Sequence, residues 1–233
     1  MDDKTLKALL VCFKKSPEEA VAYLKSQGIE ITWDWREALD KIKAHCFTVA
    51  KVSSADILQV FKDEIDAAIA DGETFFEFKK RISPILDQKG YAKNGDIKPW
   101  RLETIYRTNL QTAYMAGRHS QMEEVKESFP YWEFVAISDN RTTDGCRGLN
   151  SIVLRSDDAF WSVNFPPRHF KCRSEARAVS QFALDKRGLK LTNPKDVEGI
   201  MPAEGFDNIP GQWQPDITKY SPDIKKQLDK VLV

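Results

Sequence analysis

Histidine is scarce in this chain, with three in 233 residues, and cysteine is little commoner at four. Four thiols in a chain of this length do not make a disulfide framework; in a reducing compartment they stand as free thiols or metal ligands. With only His45, His119 and His169 available, a metal nuclease built on a cluster of histidines and carboxylates is short of ligands. Neither sign of charge dominates. Lys+Arg and Asp+Glu each number 35, so no global field draws the molecule onto nucleic acid, and any polyanion contact has to be local. Runs of about 18 or more apolar residues are missing, which argues against a membrane span or a membrane partner. The N-terminus, MDDKTLKALL, has acids where a secretion signal carries bases, so synthesis in a cytoplasm is expected. P-loop, Gly-x-Gly-x-x-Gly and His-Glu-x-x-His patterns are also missing, and with them the usual phosphate-cradle, dinucleotide and metalloprotease chemistries. What remains, at 42% hydrophobic and 30% charged residues, is the composition of a soluble globular protein.

From Lys4 to about Gln88 the apolar pattern is helical, with breaks at Ser16-Pro17, Gln27-Gly28, Ser53-Ser54 and Asp71-Gly72. Ser16 as cap, Pro17 in the first turn and the acids Glu18 and Glu19 predict a short helix ending at Gly28. A longer helix is expected over Asp34 to Val52, with Trp35, Leu39, Ile42, Cys46 and Val49 in one apolar stripe. Cys46 there reads as a buried thiol beside a surface or capping histidine, His45, rather than as half of a ligand pair. Ser54 can cap a third helix carrying Ile57, Val60, Phe61, Ile65 and Ile69, and Thr74 opens a fourth that breaks at Pro84. The loop QKGYAKNGDIKP then sets a boundary near residue 90.

The next region opens on the longest helical pattern, RLETIYRTNLQTAYMAGRHSQMEEVKES, with Leu102, Ile105, Tyr106, Leu110, Ala113, Tyr114 and Gly117 on its apolar face. Asn109 is unfavourable in mid-helix, so its amide is expected to bond outside the helix. After Pro130 the period becomes extended: YWEFVAI, SIVL and Arg173 to Val179 read as strands. The fold class is therefore α+β: a mainly helical N-terminal region (1–90), then a long helix packed on a small antiparallel sheet (91–190). A proline-rich tail (191–233) follows, expected to be extended, with Trp213 as an aromatic anchor for its own domain or for a partner.

Chemistry concentrates between Asp139 and Arg173. Cys146, His169 and Cys172 offer two thiolates and an imidazole, a set that suits zinc, with Asp139, Asp144 or His119 as candidate fourth ligands. The competing reading is a pair of buried thiols and a hydrogen-bonded histidine that only hold the backbone. Asp139 can accept turn amides, and Arg141 can fork onto it or onto another carboxylate. Cys172 as a nucleophile with His169 as its base lacks a third member. From Pro166 to Lys190 seven basic residues, Arg168, Lys171 and Arg177 among them, face two acids, a strip that can touch DNA or an acidic protein surface.

The segments SPEEAVAYLKSQGIEITWDWRE, AHCFTVAKV, PWRLETIYRTNLQTAYMAGR, the Asp-x-Arg-Thr turn at 139–142, DDAFW and the Pro-Pro/Cys-Arg segment resemble the Mu F-like family of phage minor head proteins. The tail GFDNIPGQWQPDITKY fits as well, and the likeness runs in order over roughly residues 16–180. The resemblance makes Arg107, Asn109, Asp139, Arg141, Pro166, Pro167 and Arg173 signature positions. It implies a non-catalytic assembly protein of a Mu-like phage or prophage head, made in the bacterial host cytoplasm and housed in the head interior. Its partners would be the portal protein or inner shell, and packaged DNA, with no small-molecule substrate. Members often read Cys-Arg-Cys where this chain has Cys172-Arg173-Ser174, which removes one potential zinc ligand, and some carry histidine at the place of Cys146. The alternative expectation is a metal-dependent enzyme acting on nucleic acid at Cys146, His169 and Cys172; otherwise the chain needs no cofactor beyond a structural zinc.

Overall fold

The computed structural model describes residues 18–29, 46–47, 55–91 and 98–211. Helix α1 (Glu18–Ser26) carries its acids in the first turn and Lys25 in the last, matching the helix dipole at both ends. A two-residue strand β1 (Gly28–Ile29) follows and pairs in parallel with β2 (Cys46–Phe47). Cys46 thus belongs to a strand and not to a helical stripe. Cys-Phe-Thr-Val is a β-favouring run, and pairing with β1 gives its backbone a partner. The rest of the helix expected over Asp34–Val52 lies outside the described residues, as do Cys12, His45, Ser54 and Trp213.

Helix α2 (Ala55–Asp71) buries Ile57, Leu58, Phe61, Ile65, Ala68 and Ile69, the stripe its sequence predicts. Gly72, at φ +67, turns the chain through the left-handed region that other residues enter at a cost. Helix α3 (Phe75–Gln88) opens with a reciprocal capping box between Thr74 and Glu77. It does not break at Pro84. That ring is exposed, while Ile82 and Leu86 on the opposite face are fully buried, so their burial outweighs the single hydrogen bond that proline forfeits. Arg81 ties α3 to the preceding helix and turn, with Nε and Nη2 on the Glu73 carboxylate at 3.1 and 2.6 Å and Nη2 on the Glu64 carbonyl at 2.8 Å.

Helix α4 (Pro99–Glu124) is 26 residues long and serves two cores. Its N-terminal half gives Leu102, Tyr106 and Ala113 to a cluster with α1, α2 and α3, where Tyr106 lies 4.8 Å from the Phe78 ring. Its C-terminal half gives Met115 and Met122 to a second cluster. Where α4 crosses α1, a Cβ on Gly117 would meet the Ala20 amide and the Glu19 Cβ at 3.0 Å, so the crossing requires glycine.

The second core lies under a three-stranded antiparallel sheet ordered β4-β3-β5. Strand β3 (Tyr131–Val135) is central; a short helix α5 (Asp144–Arg147) precedes edge strand β4 (Val153–Arg155). Helix α6 (Ala159–Asn164), capped by Asp158, leads towards the other edge, β5 (Glu175–Val179). Alternation assigns the faces: Trp132, Phe134, Leu154 and Ala176 point into the second core with Trp161 and Phe165, while Val153 and Val179 cover Leu184 on the opposite side. Helix α7 (Gln181–Arg187), capped by Ser180 and closed by left-handed Gly188, lies on that outer face. There Arg187 forks onto the buried carboxylate of Glu133 at 2.7 and 2.9 Å.

The described part of the tail, to residue 211, packs on its own domain. Thr192 brackets Val153 with two hydrogen bonds, Val197 is buried, and Ile200 and Ile209 lie against the second core. A 3-10 turn at Pro194–Asp196 interrupts the expected extended course. Among the described residues no helix is long and apolar enough to cross a membrane.

Candidate functional site

The site is assembled from three pieces of backbone. The first is the turn after β3, where the Asp139 carboxylate accepts from the Arg141 amide at 3.0 Å and from the Thr142 hydroxyl at 3.3 Å. Arg173, not Arg141, forks onto Asp139: Nη1 reaches Oδ2 at 2.8 Å and Nη2 reaches Oδ1 at 2.5 Å. The Arg141 guanidinium stays 3.7 Å away and largely in solvent. The Arg173 hydrogen bonds are the main reason Asp139 stays ionised well below the usual carboxylate range.

The second piece is α5. Thr143 caps it by accepting from the Cys146 amide at 3.4 Å, and Arg147 reaches back to the carbonyls of Asp139 and Thr142 at 3.3 and 2.9 Å. Those restraints turn the Cys146 side chain inward, where the residue is 1% exposed.

The third piece is the segment from Phe165 to Ser174. Pro166 and Pro167 are buried, and the peptide between them is cis. His169 to Cys172 form a turn closed by the Cys172 amide on the His169 carbonyl at 3.1 Å, with Lys171 in the left-handed region at φ 58. A non-glycine residue held there costs on the order of 1 kcal/mol, so its surroundings have to hold it. Helix α4 does this: the Thr108 hydroxyl accepts from the Lys171 amide at 3.1 Å, and the Gln111 amide donates to the Ser174 carbonyl at 2.7 Å.

Together these pieces bring Cys146 Sγ within 3.4 Å of His169 Nε2 and 3.9 Å of Cys172 Sγ, with all three donor atoms inside 4.8 Å of one another. A hydrogen bond from Cys172 pulls the Cys146 thiol down to about 3, and the same bond pushes Cys172 up. Its bond to Cys146 raises His169 above the ordinary imidazole value. Cys146 Sγ is thus the shared hydrogen-bond partner of His169 Nε2 and Cys172 Sγ. Both cysteines are buried, while His169 is half-buried.

The three proposed fourth ligands are occupied elsewhere. Asp139 belongs to Arg173. The Asp144 side chain is 97% exposed and pairs with Arg147. His119 is buried against the rings of Trp132 and Phe165 at 5.3 and 5.0 Å, where desolvation lowers its pKa.

Two further expectations are corrected. Arg168 is no part of a surface strip. It is 4% exposed and donates to Asn164 Oδ1 at 3.1 and 2.8 Å, to the Gly145 carbonyl at 3.1 Å and to the Met201 carbonyl at 3.0 Å. The neighbouring cations are also paired, Lys171 with Glu103 at 3.4 Å and Arg177 with Glu175 at 2.6 Å. Asn109 bonds within its own helix, to the Ile105 carbonyl at 2.8 Å, because a mid-helix amide finds the i−4 carbonyl nearest. Arg107 pairs along the same helix with Glu103. The residues that join α4 to the site are Thr108 and Gln111, three apart and so on one face, and Asn164 completes the Arg168 hub. The signal available for the first two was their i, i+3 spacing, which puts both side chains on one face of the helix.

Residues 59–177, about half of the chain, match the family described as Phage Mu protein F like protein. The chain belongs to that family. Members similar to it include the putative capsid assembly protein F of Escherichia phage Mu, 38% identical over 189 residues, which are 76% of this chain and 43% of that protein. The Mu-like prophage FluMu F protein of Haemophilus influenzae is 37% identical over 174 residues, 71% of this chain and 42% of the relative. The chain thus spans about two fifths of the length of these relatives. The matched family region runs from α2 through most of β5 and so contains the Asp139–Arg173 pair and the Cys146, His169 and Cys172 cluster. No solved structure matches the chain.

Proposed function

We propose that this chain is a structural component of a Mu-like phage or prophage head, working in head assembly at the portal or inner shell and residing in the head interior. The observation that carries the proposal is the 38% identity, over 76% of the chain, to a phage Mu protein named for capsid assembly. The site's physical character supports it. Its charged groups are used to fasten loops: Asp139 with Arg173, Arg147 with the loop carbonyls, and Arg168 with the tail. Such interactions stiffen a surface that a partner can dock against without conformational adjustment.

Packaged DNA is left out of the proposal. The basic excess between Pro166 and Lys190 is met by Glu103, Asp139 and Glu133 from outside that segment, and Arg168 is internal. The test is co-purification. The tagged chain, expressed during head assembly, is expected to bring down the portal protein and to be found in purified heads by mass spectrometry. Absence from the heads together with no portal association overturns the proposal.

A further inference from the structure

We propose that Cys146 Sγ, Cys172 Sγ and His169 Nε2 form a three-ligand site for a zinc ion that fastens the α5 turn to the 169–174 turn. A tetrahedral zinc with bonds of about 2.3 Å to sulfur and about 2.05 Å to nitrogen places two sulfurs about 3.8 Å apart and a sulfur and nitrogen about 3.6 Å apart. The corresponding edges here are 3.9 and 3.4 Å. Two edges of the coordination triangle therefore already have the zinc spacing to within a few tenths of an ångström, and the third, His169 Nε2 to Cys172 Sγ, lies within 4.8 Å and shortens when the ion binds.

The histidine is in the right tautomer. Its Nδ1 lies 2.8 Å from the Phe170 carbonyl, which can only accept, so Nδ1 carries the proton and Nε2 directs its lone pair at the sulfurs. Thr143 Oγ1 stands beside the cluster, 3.1 Å from His169 Nε2 and 3.4 Å from the Cys146 amide. The frame is rigid, since the His169–Cys172 turn hangs on Thr108 and Gln111 of the longest helix.

Two thiolates and an imidazole select zinc over magnesium or calcium, which take oxygen ligands. Burial of both sulfurs makes the ion a staple and not a reaction centre. The nearby carboxylates are engaged elsewhere, so the chain supplies three ligands to the ion.

The experiment uses the full chain from zinc-supplemented cells, with metal content by mass spectrometry and cobalt(II) titration of the chelated protein. About one zinc per chain is expected, with a cobalt–thiolate charge-transfer band and the visible bands of tetrahedral cobalt. Cys172→Ser and His169→Ala should weaken zinc binding about tenfold or more in chelator competition. Ser174→Cys supplies a third thiolate at an already buried position and should tighten binding by about tenfold or more; it keeps the question open to test where the ligand deletions fail to fold. Three results would overturn the site: folded wild-type protein with neither zinc nor a cobalt–thiolate band; zinc retained at wild-type affinity in folded Cys172→Ser; or a Cys146–Cys172 disulfide, two hydrogens lighter, in protein purified without oxidant.

Discussion

Arg168 gives the sharpest quantitative test, because sequence and structure assign it opposite environments. Its guanidinium serves three acceptors, Asn164 Oδ1 and the carbonyls of Gly145 and Met201. Arg168→Met keeps the length of the aliphatic stem and removes every donor. Leaving a buried acceptor unpaired costs roughly 1–3 kcal/mol, so three acceptors set a gross loss of roughly 3–9 kcal/mol. Against that, the variant no longer desolvates a charge that has no carboxylate beside it, which returns several kcal/mol. The net expectation is a loss of about 3 kcal/mol, equivalent to a fall of about 6–12 °C in Tm for a chain of this size. Urea unfolding followed by circular dichroism measures it, with hydrogen exchange showing loss of protection near Ala203, whose amide bonds the Arg168 carbonyl. Arg168→Lys should recover less than half, since an ammonium cannot span three acceptors. Lys186→Met, at an exposed position of the same basic segment, should stay within about 0.5 kcal/mol of wild type. A loss below about 1 kcal/mol for Arg168→Met would refute the hub and return Arg168 to the surface.

Three further outcomes are expected. Gly117→Ala should destabilise by roughly 1–3 kcal/mol despite alanine's better helix propensity, because its methyl meets α1 backbone at 3.0 Å; a raised Tm would contradict the close crossing. His119 is held neutral by burial, with a pKa below its ordinary 6.5 in the folded state, so the unfolded chain binds the extra proton. Its contribution to stability is therefore complete above about pH 6.5 and falls as pH drops below it. His119→Leu should flatten that fall, and an unchanged slope between pH 7 and 5 would exclude His119 as its source. Gln111→Ala leaves the Ser174 carbonyl without its donor and should cost about 1–2 kcal/mol, with faster hydrogen exchange confined to 169–175; a uniform increase across the chain would show that Gln111 has no local role.

The sheet is legible in the sequence because YWEFVAI alternates, and its alternation assigns Trp132 and Phe134 to one face and Glu133 to the other. The Cys146, His169 and Cys172 convergence is legible too, since those residue types are rare in the chain. What patterning does not encode is which polar residue of a helix meets a turn 63 positions away. Thr108 and Gln111 make those bonds, whereas Arg107 and Asn109 look more conspicuous and stay on their own helix. Charge runs likewise carry no sign of burial, so Arg168 reads as surface until the tail is seen folding over it. Pro84 misleads for the reverse reason: a local helix breaker is overruled by burial on either side of it.

Helix α4 is a rod of about 39 Å at 1.5 Å per residue, and it forms a wall of both cores. Melting either core strips the other of its longest packing surface, so the two should lose structure in one transition and not in sequence. Because α4 is continuous from Pro99 to Glu124, a displacement at one end of the rod is carried to the other without a break in the helix. The Thr108 and Gln111 bonds lie midway along it and tie the Cys146, His169 and Cys172 clasp to the stiffest member of the frame.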